Sequence, residues 1–458
     1  MRAAVTAQDA ATGPPRIIGA SGAALTLADQ FVSSASNFLL GVLVARAGGA
    51  DALGAFGIAF LVWLAVVGVN RALVTEPMTV IGGTQISRAE LREGLQASVV
   101  LGLGGAAVLA VACGPVELAG VSAVGVLAMA PWLPSLLAHD YCRAAAFRLQ
   151  RPDRALLSDL TFAVVQTALT VGLFMLDVRN VAAFLAAWGF GATAGAAVGM
   201  GLARIRLGAR GGVAHLRALW PRSRWFLAEF GTAFPADQGY LLLLPVLLGT
   251  AQFGQYRAGA SLIGPVVVVF LAFGNVGLPE CVRRLRQDGM RGLADYTPRL
   301  TGAVLAVTVL YCGGVAVFAE PILRLTYGEE FAGAAVVTYL VAGQYVLMAI
   351  GFGCGVAMKA ADQMRQLWTM RAFSAVVSIS GVIVLASGWG LFGAGLASIV
   401  AGGAYSVGVA VGYRRMSRHL LLAAGSADPA DRPVPRRGVH RQRPAGARPI
   451  ERAPEVEQ

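Results

Sequence analysis

The chain has 458 residues, of which 56% are hydrophobic and 14% charged, with a mean hydropathy of +0.65. That composition excludes an ordinary soluble domain, and recurring apolar runs of about 20 residues predict an all-α polytopic membrane protein. A formal charge of +12 would point a soluble chain toward nucleic acid; in a membrane chain the basic residues report topology first, and no nucleic-acid partner is expected.

Residues 1–24 carry Arg2 and Arg16 but no apolar core followed by a small-residue cleavage site. They are read as a cytoplasmic tail, with the first span as an uncleaved anchor. Span 1 (25–45) holds the polar stretch LADQFVSSASNF, in which Asp29, Ser33, Ser36 and Asn37 fall at i, i+4, i+7 and i+8 and so share one face. Such a stripe is either interhelical hydrogen-bonding or the lining of a polar gap; Asp29 fits the second reading better than the first. Span 2 (52–74) ends near Arg71, which can snorkel to the interface. Spans 3 to 6 follow at 95–112, 117–138, 156–176 and 181–202, and Gly191, Gly195 and Gly199 in the last predict close helix packing.

A basic stretch, 203–225, then joins two sets of six spans. Span 7 (226–248) repeats the theme of span 1 in FLAEFGTAFPADQGY, with Glu229, Thr232, Asp237 and Gln238 in an apolar setting and a bend expected at Pro235. Asp29, Glu229 and Asp237 are candidates for taking up and releasing a proton or Na+ during transport. For Asp29 and Glu229 an ion pair with arginine near the cytoplasmic interface fits equally well. Span 8 (253–278) carries Arg257 about one turn inside the outer face, placed either to meet a phosphate or to pair with an acid. Spans 9 to 12 lie at 300–318, 333–358, 367–387 and 391–413, with Arg371 near a cytoplasmic end. The tail 414–458 is rich in Pro, Arg and Ala and is expected to be disordered on the cytoplasmic side.

Of the 37 Lys and Arg residues, 31 fall in the tails and on one set of loops, whereas the opposite loops hold only Arg46, Arg179 and Arg324. The positive-inside rule therefore puts both termini in the cytoplasm. Equivalent spans recur about 200 to 211 residues apart, and GAFG at Gly54 is echoed by AQFG at Ala251. An even number of spans per half makes the repeats parallel, an N-lobe (25–202) and a C-lobe (226–413) between which a substrate can be exchanged by rocking. The five cysteines form no CxxC pair, the four histidines show no metal spacing and no nucleotide-binding loop is present. No cofactor and no enzymatic activity are expected.

ADQFVSSASNFLLGVLVARAGGADALGAFG, DYCRAAAFRLQRPDRALLSDL and LTYGEEFAGA together resemble the multidrug/oligosaccharidyl-lipid/polysaccharide (MOP) exporter superfamily, on its polysaccharide-flippase branch. The resemblance spans Leu25 to about Tyr413. It implies a MATE-like fold and transport of polyprenyl-diphosphate-linked oligosaccharide to the outer leaflet, and the Arg-rich, Lys-poor, Ala/Gly-rich composition suggests a bacterial plasma membrane. The implied partners are that substrate, membrane lipids, a coupling H+ or Na+ and polysaccharide-assembly proteins. Cavity-lining roles would fall on Asp29, Asn37, Arg71, Asp237 and Arg257. Twelve spans, not the fourteen of peptidoglycan-precursor flippases, argue against that substrate. The rival readings are a cation-coupled multidrug antiporter of the same superfamily and an integral-membrane glycosyltransferase or polymerase; the short outer loops weigh against the last.

Overall fold

Glycine sets the corners of this bundle. In the computed structural model, which describes residues 20–81, 86–118, 124–208 and 211–426, helix α1 (Ala20–Asn70) runs through spans 1 and 2 with a sharp turn at Gly49 (φ 70°, ψ −163°). A side chain rarely adopts that conformation, so two membrane-length helices meet there without a loop. A π-helical segment (Arg71–Thr75) and α2 (Glu76–Ile81) complete the second crossing. Helix α3 (Arg88–Leu118) is the third, and α4 (Val124–Met129), a 3₁₀ turn (Ala130–Trp132) and α5 (Leu133–Arg148) form a broken fourth. Helices α6 (Pro152–Met175) and α7 (Val181–Ala203) finish the N-lobe.

The C-lobe repeats the plan. Helix α8 (Gly212–Asp237) gives way to a 3₁₀ turn (Gly239–Leu243) and α9 (Leu244–Leu248), and the break falls just beyond Pro235, as expected. Span 8 is divided instead of continuous: α10 (Thr250–Ser261) stops before Gly264-Pro265, and α11 (Val266–Val317) resumes after it, turning again at Gly289. Proline removes a ladder donor there, and the Leu262 carbonyl is satisfied from outside, accepting from the Tyr311 hydroxyl at 2.8 Å. Helix α12 (Ala319–Thr326), a 3₁₀ turn (Glu329–Ala334), α13 (Ala335–Ala360) and α14 (Met364–Ser426), bent at Trp389 and Gly390, complete the lobe.

No strand occurs among the described residues. Among the described residues seven helices are long and apolar enough to cross a membrane, and three of these run 52, 52 and 55 residues, about twice the length one crossing needs. With the broken crossings they give the expected all-α polytopic architecture of two six-helix lobes. Several boundaries differ from expectation: α3 (Arg88–Leu118) outruns the span expected at 95–112, and α5 passes the expected end at 138 to reach Arg148. The joint read as a basic loop over 203–225 is helical from Gly212, because His215, Leu216, Leu219 and Ser223 form one inward face against α3 and the π segment. Helix α14 likewise continues past 413 to Ser426. Most of the N-tail, 1–19, and residues 427–458 of the C-tail lie outside the described residues.

Within the N-lobe the glycine steps of α7 pack as expected. A methyl carbon on Gly191 would sit 2.9 Å from the Phe162 carbonyl oxygen, and one on Gly195 2.6 Å from the His139 ring. Each lobe has its own core at the arginine-rich face, around Leu95 and Tyr141 in one and Leu293 and Met358 in the other. Toward the face carrying Arg46, Arg179 and Arg324, hereafter the arginine-poor face, the cores merge: Leu53 and Phe56 of the N-lobe join Ala258, Leu262 and Phe331 of the C-lobe.

Candidate functional site at the seam between the lobes

Gly249 mirrors Gly49, 200 residues on, with φ 85° and ψ 166°. Each glycine launches a helix that crosses its counterpart. Gly54 packs directly on the Thr250 carbonyl, Gly254 on the Ala50 carbonyl, and neither leaves room for a side chain. The arginine-poor face is thus closed by backbone contact about a pseudo-twofold axis. Arg46 adds a clasp, donating through Nε to the Thr326 carbonyl at 2.8 Å and through Nη2 to that of Leu325, at the carbonyl-rich end of α12. Above the clasp lies a recess of about 720 Å³ lined by Arg46, Gly49, Asp177, Arg179, Tyr327 and Glu330.

Arg257 enters this seam from the C-lobe. It lies seven residues down α10 from Thr250, about 10 Å below the arginine-poor face. Its guanidinium lies 5.0 Å from the centroid of the Phe60 ring, across the lobe boundary, and Gly57 leaves the space its stem occupies. Phe60 is in turn packed among Phe56, Trp63 and Trp188. Among the described residues Arg257 has no carboxylate partner. A ring holds the cation without neutralising it, so its charge stays available to an anion.

The other intramembrane arginines are paired. Arg71 meets Asp140 at 2.5 Å from Nη2, and Arg371 meets Asp237 at 2.9 Å. Snorkelling alone therefore does not describe either one. Asp237 and Arg371 join α8 to α14, as does the Trp368 indole, which donates to Thr232 Oγ1 at 3.0 Å. Glu229, one turn earlier, is exposed and within electrostatic reach of Glu76 in the N-lobe.

Asp29 is fully buried inside the N-lobe. Its Oδ2 accepts from Arg143 Nε at 2.9 Å; Arg143 Nε also lies 3.2 Å from Asp159 Oδ2, and His139 Nε2 3.3 Å from Asp159 Oδ1. The sequence reading counted Arg143 as a topological marker and missed this cluster. The available signal was His139 and Arg143 at i, i+4 on one helix. Asn37 is half-buried, and its Oδ1 has no hydrogen-bond partner among the described residues. Asp29 lies 20 residues below Gly49, about 30 Å in depth, so it and Arg257 stand near opposite faces.

No protein-family model and no curated protein matches the sequence. Solved structures do match the fold. An inward-facing multidrug-resistance MATE transporter of the MOP superfamily superposes with a TM-score of 0.69 at 11% identity, over 89% of this chain and 100% of that one. The lipid II flippase MurJ, in an inward closed conformation, gives 0.66 at 14% identity over 87% and 91%. A MOP transporter from Pyrococcus furiosus, whose binding pocket is described as reversed in polarity, gives 0.55 at 12% over 88% and 95%. The chain shares its fold with these structures. An outward-facing MATE structure gives 0.55 at 12% identity over 87% and 95%.

Proposed function

We propose that the chain is a flippase carrying polyprenyl-diphosphate-linked oligosaccharide from the cytoplasmic to the outer leaflet of a bacterial plasma membrane, for assembly into surface polysaccharide. The arginine-rich face, with both termini, is cytoplasmic in this reading. The N-lobe (25–202) and C-lobe (226–413) rock about the Gly54–Gly254 crossing, so that a gap opens alternately to each side. The observation that carries the proposal is Arg257, an unneutralised guanidinium at the lobe boundary, suited to a diphosphate by bidentate hydrogen bonding.

Asp237 and Arg371 support a polar gap. Asp237 lies twelve residues before Gly249, about 18 to 20 Å below the arginine-poor face, yet its side chain and that of Arg371 are 49% and 47% exposed. A charged side chain facing lipid there costs about 2.5–3.5 kcal/mol, so the pair belongs on a water-filled passage. Arg71 and Asn37 are assigned to the same passage. Asp29, held by Arg143, acts from within the N-lobe wall. The lipid tail remains in the bilayer while the sugar and diphosphate cross the gap.

The test is reconstitution. In liposomes containing a fluorescent polyprenyl-diphosphate sugar, wild-type protein accelerates translocation, Arg257→Gln lowers the rate at least about tenfold, and Arg257→Lys falls between because it keeps charge but loses the fork. Rates equal to empty liposomes, with a cationic dye moved instead, would favour the second reading, a cation-coupled multidrug antiporter. That alternative draws on the N-lobe cluster, where two carboxylates, Asp29 and Asp159, face one arginine and His139, a set of titratable groups that can exchange H+ or Na+. Glu229 and Asp237 are the C-lobe candidates for the same coupling.

A further inference from the structure

Helix α8 is both the joint between the lobes and the first crossing of the C-lobe, and its first half has two unlike faces. One face is anchored to the N-lobe. His215 Nδ1 lies 3.3 Å from Glu93 Oε2, Ser223 Oγ donates to the Leu73 carbonyl at 2.9 Å, and Gly212 rests on the Gln96 backbone. The opposite face exposes Arg217, Trp220, Arg222, Arg224 and Trp225, with Trp220 51% and Trp225 68% accessible. No acidic residue occurs between Gly212 and Ala228, and Arg204 and Arg206 precede the helix. The Arg224 guanidinium lies 5.2 Å from the Trp225 ring centroid; among the described residues Arg217, Arg222 and Arg224 form no ion pair.

Depth decides what this strip meets. Counting down from Gly249 through α9, the 3₁₀ turn and α8, Trp225 lies 24 residues on and Trp220 lies 29, a path of about 36–39 and 43–46 Å. A bilayer has a hydrocarbon core of about 30 Å and measures about 40–45 Å with its head groups, so with the path shortened by the bend beyond Pro235 both tryptophans and the arginines between them reach the head-group layer. Tryptophan is favoured at that level, and clustered arginine beside it draws anionic lipid. We propose that this strip of α8 binds the phosphate head groups of anionic phospholipid at the arginine-rich face, fixing the lobe joint to the membrane surface. The site is independent of what the gap transports.

The experiment compares brominated phosphatidylglycerol with brominated phosphatidylcholine as quenchers of tryptophan fluorescence, using the full chain in otherwise identical bilayers. Subtracting a Trp220→Phe/Trp225→Phe variant isolates the two strip tryptophans. At low salt the phosphatidylglycerol is expected to quench at least about threefold more strongly, and 1 M salt, with a Debye length of about 3 Å, brings the ratio toward one. Arg217→Gln/Arg222→Gln/Arg224→Gln does the same at low salt. Equal quenching by the two lipids in the wild type overturns the proposal and leaves the strip to a soluble acidic partner. A preference that survives both high salt and the triple substitution overturns it too. The salt titration needs only the wild type, so a misfolded variant does not block the decision.

Discussion

Arg143 is the residue whose loss the N-lobe can least absorb. Replacing it with alanine leaves Asp29 and Asp159 buried with no cation between them, and breaking a buried pair in this way costs about 3–5 kcal/mol. Arg143→Ala is therefore expected to lower the melting temperature in detergent sharply, and Asp29→Asn much less, because it removes a charge instead of stranding one. Equal, small shifts for both would contradict the pairing. At the seam, Phe60→Leu removes the ring beneath Arg257, an interaction of about 0.5–1 kcal/mol when exposed and about 2 kcal/mol when desolvated. Translocation should slow severalfold, while Phe60→Tyr retains the wild-type rate; identical rates for both variants would show that the ring plays no part. Asp29, Glu229 and Asp237 were legible as charges in apolar runs, and an arginine partner for Asp29 was one of its two readings. Asp140, Asp159 and the identity of that arginine were not, because α5 runs to Arg148, well past the expected span end at 138, which turns Arg143 from a loop residue into a helical one.

Helix crossings impose their own test. A leucine at Gly54 collides with the Thr250 backbone, and one at Gly254 with that of Ala50, so either substitution should hold the arginine-poor face open. Spin labels at Asp51 and Glu329, exposed residues of the two lobes, in a cysteine-free background are expected to report a longer distance in Gly54→Leu than in the parent protein. Arg46→Ala, which loses only the clasp on α12, should lengthen it less. An unchanged distance in Gly54→Leu would mean that the crossing is not the closing contact. At this scale apolar length and charge revealed most crossings, since hydrophobic runs are what a bilayer demands. The division of span 8 was also written in the sequence, in Gly264-Pro265, but a long apolar window masks a local break whose freed carbonyl is satisfied by a distant tyrosine. The helical joint escaped notice because its apolar positions are interleaved with arginines that mark it as a loop.

Taken whole, the molecule repeats the same glycine turn and helix crossing 200 residues apart. Gly49 and Gly249 keep the same turn and Gly54 and Gly254 the same crossing, whereas the next position in register is Gly57 in one lobe and Arg257 in the other. The glycine accommodates the arginine, and together they put a cation without a carboxylate partner on the seam, on the opposite lobe from the Arg46 clasp. The 200-residue spacing made the repeat visible in sequence, but which residues face each other across it depends on the rotation of each helix, which no spacing records. The most direct measurement is the leaflet distribution of polyprenyl-diphosphate oligosaccharide in cells lacking this chain and any paralogue, complemented with wild type or Arg257→Gln. A flippase predicts accumulation on the cytoplasmic side, relieved by wild type and not by the variant; an unchanged distribution would contradict the account.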